Sequence, residues 1–314
     1  MSSSATEKKI VSPDVPRRRI RKSATDRATI AFSYFFLAFY AILCFVPLLL
    51  VVSVSLSEEA QVARHGYSLI PRGLTLDTYV YIFDHSGHRI GRSYQVTLFV
   101  TAVGTSLAML MTTMTAFALS IRSLKYRNKL AFVCNFTIIF SAGLIPWYVA
   151  TVRFYGLGNT IWALILPISF SVWNMFLMRT FFNQISDSLY ESARIDGANW
   201  FKVYYMIALP LSTTALLTVG LMYALMYWND WWLALMFTSG NRDLFPLQFY
   251  LYSLLSNIAA LTTGQVQGLG SRIRLPSETA RMAVTIITIG PIILLYPFIQ
   301  RFFIANIMSG AVKE

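Results

Sequence analysis

The sequence predicts an all-α polytopic membrane protein with six transmembrane helices. Of its 314 residues, 56% are hydrophobic and 13% are charged, which is too apolar for a soluble domain of this length. The apolar residues form continuous runs of roughly 20 or more, long enough for a helix to cross ~30 Å of hydrocarbon. Because these runs do not alternate in polarity, they do not match the strands of a membrane barrel. The six predicted spans are residues 30–56, 93–121, 130–152, 157–178, 210–236 and 282–305.

Basic residues flank these spans. The chain has 26 Lys and Arg against 14 Asp and Glu, a net charge of +12 that fits nucleic acid, an acidic lipid surface or membrane-orientation signals. One group lies directly before the first apolar run and another fills the connection between spans two and three, which favours orientation signals. Nucleic acid is therefore not predicted as a partner. The groups are Lys8, Lys9, Arg17, Arg18, Arg19, Arg21, Lys22 and Arg27, and Arg122, Lys125, Arg127 and Lys129.

The positive-inside rule sets the topology, because it places both basic groups in the cytoplasm. Six crossings then put both chain ends on that side. The predicted segments are a basic cytoplasmic tail at 1–29, a transmembrane domain at 30–308 with external connections at 57–92 and 238–280 and a cytoplasmic loop at 183–210, and a cytoplasmic C-terminal tail at 309–314.

One further apolar stretch complicates this topology. Residues 244–262 lack charge and are apolar enough for a seventh crossing, but Pro246, Gln248 and the polar, Gly-rich sequence that follows argue against one. We interpret this stretch as an external or re-entrant helix. This placement leaves three arginines outside, against the positive-inside rule: Arg272, Arg274 and Arg281.

The cytoplasmic loop is predicted to contain two short helices. Ser188 and Glu191 form an S-x-x-E capping box, which predicts the start of a helix. Gly197 suits the left-handed cap at its end, and Asn199 can cap a second helix that runs into Pro210. Small and charged residues around the turn suit docking into a polar groove of a soluble partner. On physical grounds alone, an ordinary amphipathic loop accounts for the same pattern.

This loop resembles the signature of ABC importer permeases. Glu191-Ser192-Ala193, then Gly197, then Ile207-Ala208-Leu209-Pro210 are similar to the E-A-A, G and I-x-L-P elements of that family at complete spacing, with Ser192 where alanine is usual. The resemblance covers roughly residues 30–314 and is nearest to the carbohydrate permeases for oligosaccharides and polysaccharides, including uronate-rich chains such as alginate or pectin fragments. The segments that look like this branch are FSAGLIPWYVA (140–150), MRTFFNQISDSLYESARIDGA (178–198), MYWNDWW (226–232), FPLQ (245–248) and the C-terminal GAVKE.

The resemblance implies the ABC type I importer permease fold in a bacterial cytoplasmic (inner) membrane. In that family the loop couples the spans to ATPase subunits. The implied partners are a second homologous permease, two ATPase subunits, which bind ATP and Mg²⁺, and an extracytoplasmic solute-binding protein; no cofactor is expected on this chain. Carried over by position, the ATPase-coupling residues are Glu191, Ser192, Ala193, Asp196, Gly197 and Ala198.

The sequence lacks the motifs of an enzyme. It has no G-x-x-x-x-G-K-[ST] motif and no Gly-Lys pair, so the groups that hold ATP phosphates must come from another chain. His65, His85 and His88 have no H-E-x-x-H spacing, so no metal site is predicted. Nothing resembles a Ser-His-Asp constellation, and no catalytic residue is predicted.

Polar and aromatic residues within apolar spans are the candidates for a substrate pathway. They are costly in lipid unless they face a cavity or a partner, and sugars are bound by aromatic faces together with amides or carboxylates. Tryptophans near the end of a span also fit the interfacial aromatic belt, which explains Asn229 and Asp230 less well. The predicted pathway residues are Trp173, Asn174, Tyr227, Trp228, Asn229 and Asp230.

These observations predict the membrane-spanning subunit of an ATP-driven importer that moves a sugar or oligosaccharide by alternating access. The alternative is an ion-coupled secondary transporter. That class needs a buried acid or histidine relay, and Asp230 is the only acid within a predicted span; no inverted repeat is evident either. A structural membrane scaffold is the third class.

Overall fold

The protein is built from helices joined by short connections, which confirms the all-α prediction. The structure, a computed structural model, describes residues 24–140, 142–262, 278–291 and 293, and these residues contain no β-strand. The helices are α1 (Ala24–Ser55), α2 (Glu59–His65), α3 (Asp77–Ser120), α4 (Arg127–Ile139), α5 (Leu144–Val149), α6 (Val172–Phe182), α7 (Asp187–Ile195), α8 (Trp200–Val203), α9 (Leu209–Leu211), α10 (Thr213–Trp228), α11 (Trp232–Phe237), α12 (Leu247–Thr262) and α13 (278–291). The chain divides into a first unit of residues 1–50, which holds most of α1, and a second unit of residues 51–314.

Two unbroken helices of the described chain are long and apolar enough to cross a membrane. They are the segments Ala28–Ser55 and Ser86–Ser120. Three bent pairs also qualify if each pair forms one span. The pairs are Arg127–Ile139 with Leu144–Phe154, bent by 113°, Ile161–Ile168 with Val172–Phe182, bent by 51°, and Trp200–Leu211 with Thr213–Trp228, bent by 85°. These segments overlap the first five predicted spans.

Several predictions of topology lie on residues that the structure does not describe. Of the sixth predicted span, only residues 282–291 and 293 belong to the described chain. Residues 1–23, most of the predicted basic tail, fall outside it, as do Arg272 and Arg274 and the predicted C-terminal tail. The sides of the membrane on which the chain ends lie therefore stay predictions.

The structure corrects the predicted connection at 57–92. Its second half is helical, because α3 begins at Asp77 and continues without a break to Ser120. Ile82 and Ile90 explain this early start, since residues eight apart share one face of a helix, and both are buried. The sequence reading missed this segment because charged residues on the other faces of the helix interrupt its apolar run.

Residues 247–262 form a helix, α12, as expected for the stretch at 244–262. Leu247 and Tyr250 of α12 are buried in one cluster with Ile82 and Ile90 of α3 and with residues of α13. The backbone N–H of Leu247 also donates to the Thr97 hydroxyl at 2.8 Å. Packing against α3 and α13 thus fixes α12 within the second unit.

Hydrogen bonds between helices satisfy polar groups in the main core, which α3, α6 and α10 build. The hydroxyl groups of Thr112 and Tyr223 lie 2.6 Å apart, and the Tyr223 hydroxyl accepts from the backbone N–H of Ser171 at 2.9 Å. The Tyr227 hydroxyl donates to the backbone oxygen of Ile165 at 2.8 Å. Such bonds favour helix association where the surrounding solvent is apolar. They join α10 to α3 and to the chain around the start of α6.

A carboxylate on α2 caps the start of α13. Glu59 Oε2 accepts from the Thr279 N–H at 3.0 Å and from the Thr279 hydroxyl at 2.7 Å, and Glu59 Oε1 accepts from the Glu278 N–H at 3.3 Å. The first N–H groups of a helix lack partners within it and carry partial positive charge. The Tyr67 hydroxyl donates to Glu278 Oε2 at 2.5 Å, and the Thr78 hydroxyl donates to that of Thr279 at 3.1 Å. The chain from α2 to α3 therefore holds α13 by its N-terminus.

We expect Glu59→Gln to destabilise the protein by about 1 kcal/mol, the usual size of a helix-cap loss. The amide keeps the shape but loses the charge and turns an N–H₂ group toward backbone donors. Thermal unfolding of the detergent-purified protein measures this loss. Glu58→Gln is the matched control, because the Glu58 side chain makes no capping hydrogen bond in the described structure. Equal melting temperatures for the two variants would contradict the capping role.

Candidate functional site

Residues 186–203 form the helix–turn–helix segment that the sequence predicts. Helix α7 ends at Ile195, and Gly197 follows with φ 85°, the left-handed conformation that glycine adopts most readily. Asn199 then caps α8, because its Oδ1 accepts from the backbone N–H of Lys202 at 2.8 Å. The turn chemistry expected for Gly197 and Asn199 is confirmed.

The capping box predicted at Ser188 and Glu191 is wrong. Ser186 occupies the N-cap position of α7, and Ser188 lies inside the helix. The hydroxyl groups of Ser186 and Ser188 lie 2.7 Å apart, and the backbone oxygen of Ser188 accepts from the Ser192 hydroxyl at 2.8 Å. The earlier start has an electrostatic reason, because it puts Asp187 in the first turn, where a negative charge is favourable.

An aromatic cluster attaches the helix–turn–helix segment to α3. The ring of Phe117, near the end of α3, has its centroid 5.9 Å from that of Tyr190 and 6.4 Å from that of Trp200. The centroid of the Tyr204 ring lies 5.3 Å from that of the Phe117 ring. Burial, aided by the charge of Asp187, raises the pKa of Tyr190 to about 12. The cluster links both short helices to α3, a helix long and apolar enough to cross a membrane.

Charged groups link the segment to its surroundings and close its turn. Arg122, in the connection after α3, forms an ion pair with Asp187 at 3.0 Å. Arg194 donates to the backbone oxygen of Ala198 at 2.9 Å, and its guanidinium lies 5.1 Å from the centroid of the Trp200 ring. Exposed ion pairs add only ~0–1 kcal/mol each, so their main effect is on geometry. The two loops predicted to face the cytoplasm therefore lie side by side.

The segment has an outward face and an inward face. Ala193 and Ala198 are half-buried and pack against the core. The other predicted coupling residues are exposed: Glu191, Ser192, Asp196 and Gly197. The sequence reading missed Ile195, whose side chain is 85% exposed beside the turn. The sequence could have indicated this residue, because a large apolar side chain between Arg194 and Asp196 is unusual in an exposed, charged turn.

The structure divides the predicted pathway residues into exposed and buried groups. Trp173 is 73% exposed, whereas its neighbour Asn174 is buried. Tyr227 and Trp228 are also buried, and the Tyr227 hydroxyl already has a backbone partner. These buried rings act in helix packing in this conformation, which the sequence did not distinguish from a place in the pathway.

Asn229 and Asp230 lie where the chain leaves α10. Asn229 is exposed, and its Oδ1 accepts from Gln248 Nε2 at 3.4 Å. Asp230 Oδ2 accepts from the backbone N–H of Leu233 at 3.2 Å, at the start of α11. Within the described residues, no hydrogen bond or ring contact joins Trp173 to either of them. Asn229 and Asp230 are therefore neighbours only by chain position, and their hydrogen bonds go to α10, α11 and α12.

Comparison with known proteins identifies the family. No family model matches the chain. The polygalacturonan/rhamnogalacturonan transport system permease protein YtcP of Bacillus subtilis is 36% identical over 280 residues, which cover 89% of this chain and 96% of that protein. The chain belongs to the ABC carbohydrate-importer permeases. The family that the sequence resembles is thereby confirmed.

The permease is also similar to a second protein of Bacillus subtilis and to a solved ABC transporter. Protein LplC of Bacillus subtilis is 36% identical over 270 residues, covering 85% of the permease and 89% of LplC. A solved structure, described as a bacterial ABC transporter involved in the import of the acidic polysaccharide alginate, matches with a TM-score of 0.77 and 27% identity. The match covers 90% of the permease and 98% of that chain. The ABC importer permease fold is confirmed, and these relatives do not support an ion-coupled secondary transporter.

The relatives of the permease are named for transport, and the described residues contain no group that could hold a metal ion. These relatives are transport subunits, and one of them is described as an inner-membrane protein of Escherichia coli. Among the described residues, no three His, Cys, Asp or Glu side chains are grouped so that they could hold a metal ion. Two features of the described residues remain candidates for function: the exposed turn beside the end of α3 and the polar residues that follow α10.

Proposed function

We propose that the permease forms half of the membrane pathway of an ABC importer for uronate-containing oligosaccharides. YtcP is named for polygalacturonan and rhamnogalacturonan, and the solved relative is described for the acidic polysaccharide alginate. A second, homologous permease supplies the other half, and an extracytoplasmic binding protein delivers the sugar. The permease lies in the bacterial inner membrane with both ends in the cytoplasm.

The observation that carries this proposal is the helix–turn–helix segment, which is exposed on one face and anchored on the other. Two ATPase subunits bind ATP and Mg²⁺ and grip the exposed face, which Ile195 makes partly apolar. Glu191, Ser192, Asp196 and Gly197 form the surface of the turn that they grip, and Ala193 and Ala198 attach this turn to the core.

Movement of the ATPase subunits passes through the aromatic cluster into α3. Phe117 contacts Tyr190, Trp200 and Tyr204, so a pull on either short helix acts on the same ring. Packed side chains are stiff and transmit strain. Closure of the ATPases on ATP therefore rearranges the spans and opens the pathway outward, while the permease performs no chemistry itself.

The predicted pathway residues take two roles in this proposal. The exposed side chains of Trp173 and Asn229 contact the sugar. Asn174, Tyr227 and Trp228 line and position the pathway from within the packed helices, and Asp230 positions it from the partly buried connection after α10. This division follows their burial and their hydrogen bonds.

Cross-linking tests the coupling interface directly. In a variant with Cys44 and Cys134 replaced by serine, we expect Ser192→Cys to cross-link to an ATPase subunit in the assembled complex. The complex is first shown to hydrolyse ATP faster when galacturonate oligosaccharide and binding protein are present. Gel mobility and mass spectrometry then identify the cross-linked chains.

Ser239→Cys is the matched control, because Ser239 is exposed and lies in the predicted external connection. We expect no cross-link to an ATPase from this position. A cross-link from position 239 but not from position 192 would reverse the proposed orientation. If no carbohydrate stimulates the wild-type complex, the proposed substrate class is wrong.

A further inference from the structure

Next to Asn229, two aromatic rings from distant parts of the chain lie together at the surface. The rings of Trp231 and Tyr252 have centroids 4.7 Å apart and planes within 23° of parallel. Trp231 is 37% exposed and Tyr252 is 42% exposed. The buried ring of Phe249 supports them, since it lies 6.2 Å from that of Tyr252 at an angle of 19°. The structure thus holds a pair of partly exposed rings in a fixed orientation.

An amide pair joins the same two parts of the chain. Asn229 and Trp231 belong to the connection between α10 and α11, whereas Gln248 and Tyr252 belong to α12. Residues four apart lie on one face of a helix, so Gln248 and Tyr252 are neighbours. The hydrogen bond from Gln248 Nε2 to Asn229 Oδ1, at 3.4 Å, therefore runs beside the ring pair.

These amides keep unused hydrogen-bonding capacity. A side-chain amide offers two N–H donors and one acceptor oxygen. Asn229 uses one donor on the backbone oxygen of Leu225 at 2.8 Å, and Gln248 uses one on Asn229. Within the described chain, no hydrogen bond takes the second donor of either amide or the Oε1 of Gln248. These groups are available to a ligand with hydroxyls.

A pyranose ring has the matching chemistry. Its C–H groups form an apolar face whose hydrogens carry slight positive charge, and the face of an aromatic ring is negative. Its hydroxyls project around the rim, where they both donate and accept. An interfacial belt tryptophan needs only an indole at the lipid headgroups and explains neither the stacked partner nor the amide pair.

We infer that Trp231, Tyr252, Gln248 and Asn229 form a subsite that binds one pyranose unit of the transported oligosaccharide. The inference rests on the proposed function and deepens it, because three of these four residues were not among the predicted pathway residues. The C–H face of the sugar stacks on the uncovered face of Trp231, the stacked Tyr252 ring holds Trp231 in place, and the amides bind the hydroxyls of the sugar.

The test measures how much labelled galacturonate trisaccharide each assembled complex retains when a non-hydrolysable ATP analogue is bound. We expect Trp231→Leu and Tyr252→Leu each to raise the half-saturating concentration about tenfold, which is the upper range for an aromatic contact. Tyr252→Phe keeps the ring and should bind nearly as the wild type does. Tyr155→Leu is the control, because Tyr155 is an exposed ring in another part of the chain.

The outcomes separate the subsite from the proposed function. If the wild type retains the trisaccharide and the Trp231 and Tyr252 variants retain it equally well, the subsite is wrong and the importer function stands. If these variants only lower the amount of folded permease, with unchanged half-saturation, the rings belong to the lipid interface and the subsite is again wrong. If the wild type retains no carbohydrate and its ATPase responds to none, both proposals fall.

Discussion

Replacing Gly197 with valine is expected to lower ATP-driven uptake of galacturonate oligosaccharide about tenfold or more, while the permease still inserts and folds. Gly197 has φ 85°, and a residue with a Cβ costs ~1–2 kcal/mol in that conformation, with more for a branched side chain. No heavy atom of the described chain lies within 4 Å of the position a Cβ would take. The valine therefore changes the backbone conformation of the turn and occupies space that the ATPase subunit fills in the assembled complex. Uptake into proteoliposomes and ATP hydrolysis measure it.

Gly156→Val provides the matched control for backbone strain. Gly156 also has a positive φ, 65°, and its Cβ position is equally open within the described residues. It lies in the connection after α5, far along the chain from the helix–turn–helix segment. We expect the uptake rate of this variant to stay within about twofold of the wild-type rate. This is well below the tenfold change that corresponds to about 1.4 kcal/mol. Equal losses in the two variants would show that strain alone, not coupling, explains the effect at Gly197.

Gly104→Ala is expected to destabilise the permease by about 1–3 kcal/mol or more, the range for overpacked cores. A Cβ at Gly104, on α3, would lie 2.6 Å from Cζ of the Tyr227 ring on α10. That ring is buried and held by its hydrogen bond to Ile165, so it has little freedom to move away. Either α3 and α10 separate or this hydrogen bond is lost. Thermal unfolding in detergent measures the change.

Gly220→Ala tests whether any added methyl between these helices has the same effect. Gly220 lies on α10, and its nearest neighbour across to α3 is the sulfur of Met109, at 3.8 Å from the new Cβ. This is an ordinary contact, and alanine favours a helix over glycine by up to ~1 kcal/mol. We expect Gly220→Ala to be as stable as the wild type or slightly more so. A wild-type melting temperature for Gly104→Ala would refute the close approach of α3 and α10.

The predictions for Gly197 and Gly104 rest on different kinds of evidence, because the turn at Gly197 can be predicted from the sequence and the contact of Gly104 with Tyr227 cannot. Gly197 and Asn199 could be assigned from sequence because turns and caps depend on residues only a few positions apart. The same local reasoning failed at Ser188, where Ser186 and Asp187 compete for the start of the helix. Two nearby serines offer nearly equal caps, and the start at Ser186 is favoured because it puts Asp187 in the first turn.

The early start of α3 shows a second limit of sequence reading. Charges such as Asp84 and Arg89 interrupt the apolar run, so residues 77–92 look like a connection. Ile82 and Ile90 nevertheless form a stripe that α12 and α13 cover. A stripe of that kind has meaning only when its covering partner is known, and the partner lies more than a hundred residues away in the chain.

The sequence by itself determined that the chain is helical and spans a membrane. Its long apolar runs lie in lipid, where the backbone N–H and C=O groups of a single segment can be satisfied only within a helix. It also determined the turn at Gly197 and, through the spacing of its loop motif, the family. Only the tertiary structure decided which polar residues are exposed, where the spans bend, and that Trp231 meets Tyr252. These properties depend on contacts between segments far apart in the chain, which no local pattern of residues encodes.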